Sequence, residues 1–237
     1  MSNLNESITE KRIDHVCFTM HLDLLNKVIA PSRHENNPLS IAIIDQLKMI
    51  YAHSERAWLR NLEQIKGEVK YLLIGESPPW SFHENATCFY SDPDSTIVDT
   101  VRKAFFRTRL EKGHELYKCL GEKGFLYIDT LPYAFPFTPE QRKSKAYGEL
   151  VKSCLPRWLT KLNQSHLRLA GDLKIAFSYY WNGIQIIGAS LGTLQIGNHA
   201  YPVHSDQIVA GPETRFVPSS KHLGSIFHIQ PETICPD

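Results

Sequence analysis

The most informative absence in this 237-residue chain is that of a long apolar run. Crossing a bilayer as a helix takes about 20 consecutive apolar residues, and no segment approaches that length. The first dozen residues are polar and charged, without the apolar stretch of a secretory signal. These absences predict a cytoplasmic protein that has no membrane partner.

Cysteine is scarce and scattered, at Cys17, Cys88, Cys119, Cys154 and Cys235. The number is odd and no CxxC pair occurs, which argues against a disulfide framework and against a four-cysteine zinc or iron–sulfur site. We therefore expect reduced cysteines that mostly pack in the interior, no metal and no cofactor. A G-K-(S/T) phosphate loop is also missing, which excludes P-loop nucleotide hydrolysis.

Charge of one sign is not in excess, since the formal net charge is +1, but the charges are unevenly distributed. Residues 102–174 carry 15 Lys and Arg against 7 Asp and Glu, a balance of +8. The rest of the chain carries 11 Lys and Arg against 18 Asp and Glu, a balance of −7. A basic region of this kind attracts phosphates, although solvated helix faces produce the same pattern.

The apolar periodicity predicts an α/β protein. Short apolar runs typical of strands occur at about residues 69–74, 125–128, 173–178, 193–203 (bent at Gly197) and 214–217. Segments with helical spacing occur at about residues 95–112, 114–120, 141–164 (interrupted or kinked at Pro156) and 182–191. This alternation indicates a three-layer α/β/α sandwich with a mostly parallel central sheet of about four strands. Two further helices make residues 1–65 a helical N-terminal extension packed on the sheet, so we expect one domain over residues 1–237.

Polar residues follow three of the predicted strands. Glu76 comes directly after the first strand, Asp129 ends the second, and residues 219–225, with three serines, a lysine and His222, follow the last. Ligands of open α/β sheets bind outside the carboxyl ends of the strands. Carboxylates, hydroxyls, a lysine and a histidine at one edge are sufficient for acid–base hydrolysis without a metal. The adjacent aromatics Phe89 and Tyr90 suit a flat ligand such as a nucleobase.

In order and context, these segments resemble motifs of the uracil-DNA glycosylase superfamily. Residues 74–79, IGESPP, are similar to its strand-end motif G-(Q/E/M)-x-P. Residues 127–130 occupy the place of its base-reading strand end, and residues 217–220, VPSS, are similar to its late motif (H/N)-P-S-x. The resemblance covers about residues 69–225 and leaves residues 1–65 outside.

The resemblance implies a hydrolase that cleaves the N-glycosidic bond of a damaged or deaminated base in single- or double-stranded DNA. The candidate catalytic residues are Glu76, Asp129 and His222. The candidate substrate-binding residues are Gly75, Ser77, Pro78, Phe89, Tyr90, Ser219, Ser220, Lys221 and Leu223. Among them, Phe89 or Tyr90 would stack on the flipped base, and Leu223 would fill its vacated position. We expect a monomer.

Three departures from these motifs leave a second function open. Ser77 stands where the best-studied glycosylases have a catalytic Asp, Asp129 replaces a base-reading amide, and Val217 replaces a His or Asn. An ionised Asp129 only accepts hydrogen bonds, so it would repel a uracil carbonyl. The alternative is a catalytically silent nucleic-acid- or nucleotide-binding protein on the same fold. A small-molecule hydrolase is a third reading, whereas a serine-hydrolase elbow at Ser77 is disfavoured because a proline stands in the last glycine position of that motif.

Overall fold

The computed structural model describes residues 15–29, 44–49, 52, 56, 59, 62–78, 89–90, 95–107, 113–132, 137–164, 167–211 and 219–232. Its elements in chain order are α1 (His15–Ile29), β1 (Glu68–Gly75), α2 (Thr96–Phe105), α3 (Gly113–Glu122), β2 (Phe125–Asp129), α4 (Pro139–Lys143), α5 (Lys145–Gln164), β3 (Arg168–Phe177), α6 (Tyr180–Ala189), β4 (Thr193–Ile196), β5 (His199–Pro202), a 3-10 turn (Ser205–Gln207) and α7 (Ser220–Phe227). Residues 44–49 are also helical. These elements make the protein mixed α/β. In the described ranges, no helix combines the length and the apolar character that a membrane span requires.

Strands β1, β2 and β3 form a parallel sheet in the order β2-β1-β3. β1 is central, and its apolar residues form a continuous run, as expected for a strand that is buried on both faces. Gly75 pairs with Asp129 and Ile74 pairs with Phe177, so the three carboxyl ends meet at one edge of the sheet. We call this edge the rim.

The predicted number of about four strands is not confirmed. In the described part of the chain, Ile208 forms a single parallel bridge to Phe177 on the open side of β3. The predicted strand at residues 214–217 lies outside the described residues. The parallel sheet itself, with helices between its strands, agrees with the prediction.

Two apolar clusters lie on opposite faces of the sheet, because side chains alternate along each strand. Leu72 and Ile74 belong to one cluster, and Leu73 belongs to the other. Helices α1 and α5 complete the first cluster, whereas α2, α3 and α7 complete the second. Helix α1 packs against α5 and α4 on this face.

The predicted bent strand at residues 193–203 is instead the antiparallel hairpin of β4 and β5. Gly197 has a φ of +59°, a left-handed conformation that glycine adopts without steric cost. The chain therefore reverses at Gly197, and the two halves pair with each other. Their two-stranded sheet is separate from the parallel one.

The predicted basic helix at residues 141–164 is divided, but at Ser144 and not at Pro156. Thr138 and Gln141 form a reciprocal capping box at the start of α4. Ser144 is extended, and its Oγ accepts a hydrogen bond from Tyr147 N at 3.2 Å, which caps the next helix. Helix α5 then continues through Pro156. The break decides where the basic side chains of α4 point.

The cysteines depart in part from the expected reduced state. Cys119 is buried and disulfide-bonded, whereas Cys154 is a free, buried thiol whose Sγ lies 3.6 Å from His21 Nε2. Spacing along the chain does not show which cysteines meet in the fold, so the prediction was wrong at Cys119. Disulfides are uncommon in the cytoplasm, so this bond does not support the predicted location.

Candidate functional site

Glu76 follows β1 directly and is held by a buried arginine. Arg142 Nε donates to Glu76 Oε1 and Arg142 Nη2 donates to Oε2, both at 2.7 Å. Tyr147 Oη donates to Oε1 at 2.5 Å. The side chains of Glu76 and Arg142 are 11% and 6% exposed, respectively. This ion pair connects the end of β1 to α4, and the tyrosine connects it to α5.

The surroundings of Arg142 keep it charged. Its guanidinium carbon lies 4.7 Å from the ring centroid of Tyr179 and 5.8 Å from that of Phe137, and Nη1 donates to the Phe137 carbonyl oxygen. Burial opposes the charged form of Arg142, but its hydrogen bond to Glu76 and the charge of Glu76 raise its pKa. Burial and the charge of Glu76 also raise the pKa of Tyr147. Glu76 therefore faces one constant positive charge and one hydroxyl donor.

Asp129 ends β2 and is hydrogen-bonded to a tyrosine of the same strand. Tyr127 Oη donates to Asp129 Oδ1 at 2.7 Å. Burial raises the pKa of Asp129 to about 7, and the charge of Glu76 contributes to the rise, whereas the Tyr127 hydrogen bond and the charge of Lys161 oppose it. Near neutral pH, the carboxyl group is therefore present in both protonation states. It can accept a hydrogen bond in one state and donate one in the other.

Gly75 leaves no room for a side chain between the ends of β1 and β2. A Cβ atom at this position would lie 1.9 Å from Tyr127 Oη and 2.5 Å from Asp129 Oδ1. The Gly75 carbonyl oxygen accepts hydrogen bonds from Thr130 N at 3.1 Å, from Thr130 Oγ1 at 2.9 Å and from Asn182 Nδ2 at 2.9 Å. Only glycine fits between these groups, so any side chain at position 75 would disturb the rim.

Asn182 connects the rim to the start of α6. It is completely buried, and its Nδ2 also donates to Thr130 Oγ1 at 3.0 Å. Its Oδ1 has no hydrogen-bond partner among the described residues. Sequence reasoning did not select Asn182, because asparagine is frequent in turns and nothing in its spacing distinguishes it.

Phe89 and Tyr90 are placed behind the rim. The Phe89 ring is 4% exposed and stacks on Tyr127, with the two planes at 10° and the centroids 4.3 Å apart. Tyr90 Oη accepts from Tyr127 N at 2.6 Å and donates to Tyr127 O at 2.9 Å, which satisfies the backbone of an outer strand of the described sheet. The Tyr127 side chain thus contacts both Phe89 and the Gly75–Asp129 junction, so a base that stacked on Phe89 would have to displace it.

The third predicted group lies at the start of α7. Ser219 Oγ accepts from His222 N at 3.3 Å and caps the helix. His222 Nδ1 lies 3.3 Å from the Val209 carbonyl oxygen, and Val209 N donates to Phe177 O at the end of β3. Because β3 ends at the rim, α7 begins there as well. Ser219, Lys221 and His222 are exposed, and Ser220 is partly exposed.

The structure requires a correction for Leu223. Its side chain is completely buried in the cluster formed by α2, α3 and α7. Lys221 in α7 is exposed, whereas Leu223, two positions later, lies on the inward face of the helix. Only side chains three to four positions apart share a helix face. Leu223 is therefore a core residue and not an exposed wedge.

The remaining predicted contacts are next to Glu76. Ser77 is partly buried and Pro78 is buried, so Ser77 is the more accessible of the two. Val217 lies outside the described residues. No three His, Cys, Asp or Glu side chains in the described ranges lie together in a way that could hold a metal ion.

A cavity of about 290 Å³ lies at the opposite edge of the sheet from the rim. Its lining includes Lys70, Tyr71, Phe105, Lys123, Ile229 and Glu232. Lys123 precedes β2, and its Nζ lies 2.5 Å from Glu232 Oε2. None of the residues predicted to act on a substrate lines this cavity, so we locate the candidate site at the rim from its side-chain chemistry.

No protein-family model, no curated protein and no solved structure matches this chain. The rim is the part of the described structure that carries candidate catalytic chemistry. There, a carboxylate with a permanent cationic partner and a carboxyl group that titrates near neutral pH follow adjacent strands. Such an arrangement can orient a water molecule and transfer a proton.

Proposed function

We propose that this protein hydrolyses the N-glycosidic bond of a damaged or deaminated base in DNA, with Glu76 and Asp129 at the reacting centre. The observation that carries the proposal is that both carboxyl groups follow paired ends of neighbouring parallel strands and differ in their surroundings. Glu76 is ion-paired, whereas burial raises the pKa of Asp129 to about 7. Pairs of carboxyl groups in different surroundings are typical of glycosidic hydrolysis.

Asp129 is suited to read the base and to move the proton. Its protonated form donates a hydrogen bond to a base carbonyl, which an ionised carboxylate cannot do. When the bond between base and sugar breaks, its electron pair passes to the base, which takes the Asp129 proton. The resulting carboxylate accepts a proton from the water that adds to the anomeric carbon. The amide that Asp129 replaces is therefore not needed for recognition.

Glu76 is suited to hold that water. A carboxylate offers about four acceptor positions. Arg142 and Tyr147 occupy both positions of Oε1 and one of Oε2. The remaining position on Oε2 would accept a hydrogen bond from water. The ion pair would keep this oxygen in one place throughout the reaction.

DNA phosphates would be bound by the start of α7 and by the basic middle segment. The Ser219 hydroxyl caps the helix, which leaves the partly exposed Ser220 and the exposed Lys221 and His222 to contact a phosphate. Binding of this kind weakens with rising salt concentration. The proposal includes the complete predicted fold, a three-layer α/β/α sandwich with a mostly parallel sheet of about four strands. It also includes action as a cytoplasmic monomer.

The test is a glycosylase assay on single- and double-stranded oligonucleotides that carry uracil, hypoxanthine, xanthine or a thymine mismatch. Alkali then cleaves any abasic site. We expect product from at least one substrate, and we expect Glu76→Gln and Asp129→Asn to abolish it while DNA binding is retained. Lys66→Ala, a charge change before β1 at the opposite edge of the sheet, should cleave like the wild type. Undiminished cleavage by both carboxyl variants would overturn the proposed mechanism.

A catalytically silent nucleic-acid-binding protein is the second candidate, and two observations favour it. Arg142 contacts both oxygens of Glu76, which neutralises the charge that a reaction centre would use. The ring of Phe89 is covered by Tyr127. Under this alternative, the same oligonucleotides bind with no dependence on the base and yield no abasic product. A small-molecule hydrolase would not bind them at all.

A further inference from the structure

Three consecutive aromatic residues, Tyr179, Tyr180 and Trp181, follow β3 at the rim. Tyr179 lies against Arg142. Tyr180 and Trp181 form an edge-to-face pair with their centroids 5.1 Å apart, and both are partly exposed. Lys143, which is exposed, places its Nζ 5.4 Å from the centroid of the Trp181 ring. We call Lys143, Tyr180 and Trp181 the aromatic–basic patch.

The patch is tied to the candidate reacting centre by a short helix. Arg142 and Lys143 are neighbours in α4, so their side chains leave the helix in different directions. Arg142 points inward to Glu76, and Lys143 lies over Trp181. Capping by Thr138 fixes the start of this helix. One element therefore positions both the partner of Glu76 and the cation of the patch.

The topology places the patch where α/β sheets bind ligands. The connection that follows β1 leads to β2, on one side of β1, and the connection that follows β3 leads to Ile208, on the other side. The two connections therefore diverge at the ends of β1 and β3, which is the topological switch point of the sheet, where α/β proteins bind ligands. Glu76 follows β1 at this point, and Tyr180 and Trp181 follow β3.

We propose that the aromatic–basic patch binds an unpaired nucleotide of single-stranded DNA that flanks the base held at the rim. The base stacks on Trp181, and Lys143 contacts the adjoining phosphate. This inference rests on the proposed function for the position of the neighbouring base. Aromatic faces beside a cation are the surface that nucleic acids use when no sequence is read. The +8 balance of residues 102–174, which include Lys143, complements the phosphates.

The test measures binding of the full chain to a fluorescein-labelled single-stranded oligonucleotide of about 12 nucleotides by fluorescence anisotropy. Trp181→Ala should weaken binding about 5- to 150-fold, the range for loss of one stacked base, whereas Trp181→Phe should retain most of the affinity. Lys143→Met should reduce the slope of log K against log salt concentration by about 0.7, the value for one phosphate contact in single strands. Lys66→Ala, which removes an equal charge at the opposite edge of the sheet, should change neither.

A second arm uses the wild-type protein with an oligonucleotide in which abasic sites replace several bases. Wild type should bind this strand more weakly than the normal one, and Trp181→Ala should bind both equally. Nucleotide binding by the patch would be refuted if wild type and Trp181→Ala bound the normal strand with equal affinity, or if wild type did not bind it. Binding that depends on Trp181, without cleavage of any damaged base, would support the patch and refute the proposed glycosylase. The two proposals therefore fail separately.

Discussion

Glu76 and Arg142 lie 66 residues apart in the chain and share two hydrogen bonds of 2.7 Å in surroundings that largely exclude water. Removing one member of a buried pair leaves the other charge uncompensated. We therefore expect Arg142→Ala to lower the free energy of unfolding by about 3–5 kcal/mol, measured by urea denaturation at pH 7.

The exposed ion pair of Lys145 and Glu149 provides the comparison for this prediction. Its atoms are 3.8 Å apart, and the lysine side chain is 92% exposed. Lys145→Ala should therefore cost less than about 1 kcal/mol. The double variant Glu76→Gln/Arg142→Met should recover most of the loss, because no unpaired charge is left. Equal losses in Arg142→Ala and Lys145→Ala would contradict the structure.

The raised pKa of Asp129 predicts a pH-dependent stability that Asp129→Asn removes. The group titrates at about 7 in the folded chain and at about 3.9 when unfolded, so the folded state holds the proton more tightly. Its contribution to stability is complete below about pH 4 and is lost as the pH rises to about 7. Urea denaturation across this range should show the free energy of unfolding of the wild type falling relative to that of the variant. A constant difference from pH 4 to 7 would show that Asp129 titrates normally.

Tyr127 offers a way to move the pKa of Asp129 in a known direction. Its hydroxyl stabilises the ionised carboxylate and so holds the pKa lower than burial alone would. We expect Tyr127→Phe to raise the pKa above about 7, as followed by ¹³C NMR of the Asp129 carboxyl carbon. Tyr201→Phe removes a buried hydroxyl that is bonded to the Ala170 carbonyl and should leave that titration unchanged. A pKa of Asp129 that is lower in Tyr127→Phe than in the wild type would refute the assigned hydrogen bond.

Gly75 should not accept a methyl group without a shift of its neighbours. In Gly75→Ala, the Cβ atom meets Tyr127 Oη at 1.9 Å, and overpacking of this kind costs about 1–3 kcal/mol. Gly188→Ala is the matched change in α6, where a Cβ atom meets nothing within 4 Å. It should stabilise the protein by about 0.5–1 kcal/mol, because alanine is the better helix former. Thermal denaturation of both variants compares the two, and equal effects would contradict the close approach at the rim.

The parallel sheet and the first two strand ends could be predicted because they depend on local signals. The apolar run before Gly75 and the run before Asp129 are each continuous, as in strands buried on both faces. Parallel strands place their carboxyl ends together, so Glu76 and Asp129 were expected at one edge. Tyr127 could have been added by the same reasoning, since residues two apart on a strand share a face.

The partners of Glu76 could not be predicted, because they depend on tertiary contacts. Arg142 is one of many basic residues in its segment, and its spacing does not show that it faces inward from a helix that ends at Lys143. The prediction that Leu223 fills the position of a flipped base was wrong for a related reason. The exposure of Leu223 depends on which face of α7 packs on the sheet. Phe89 was expected to line a pocket, but the ring of Tyr127 stacks on it and covers it.

Helix α4 has five residues, well below the roughly 12–15 that an isolated helix needs in water. The helix is therefore stabilised by its N-terminal cap and by the ion pair between Arg142 and Glu76. Lys143 is positioned by the same helix. In the proposed complex, nucleotide binding at Lys143 and formation of the ion pair one residue away are therefore thermodynamically linked. If the ion pair favours nucleotide binding by ordering α4, reciprocity requires a bound nucleotide to favour the ion pair by the same factor. A DNA strand that reaches the patch would thus tighten the carboxylate at the rim before any base enters it.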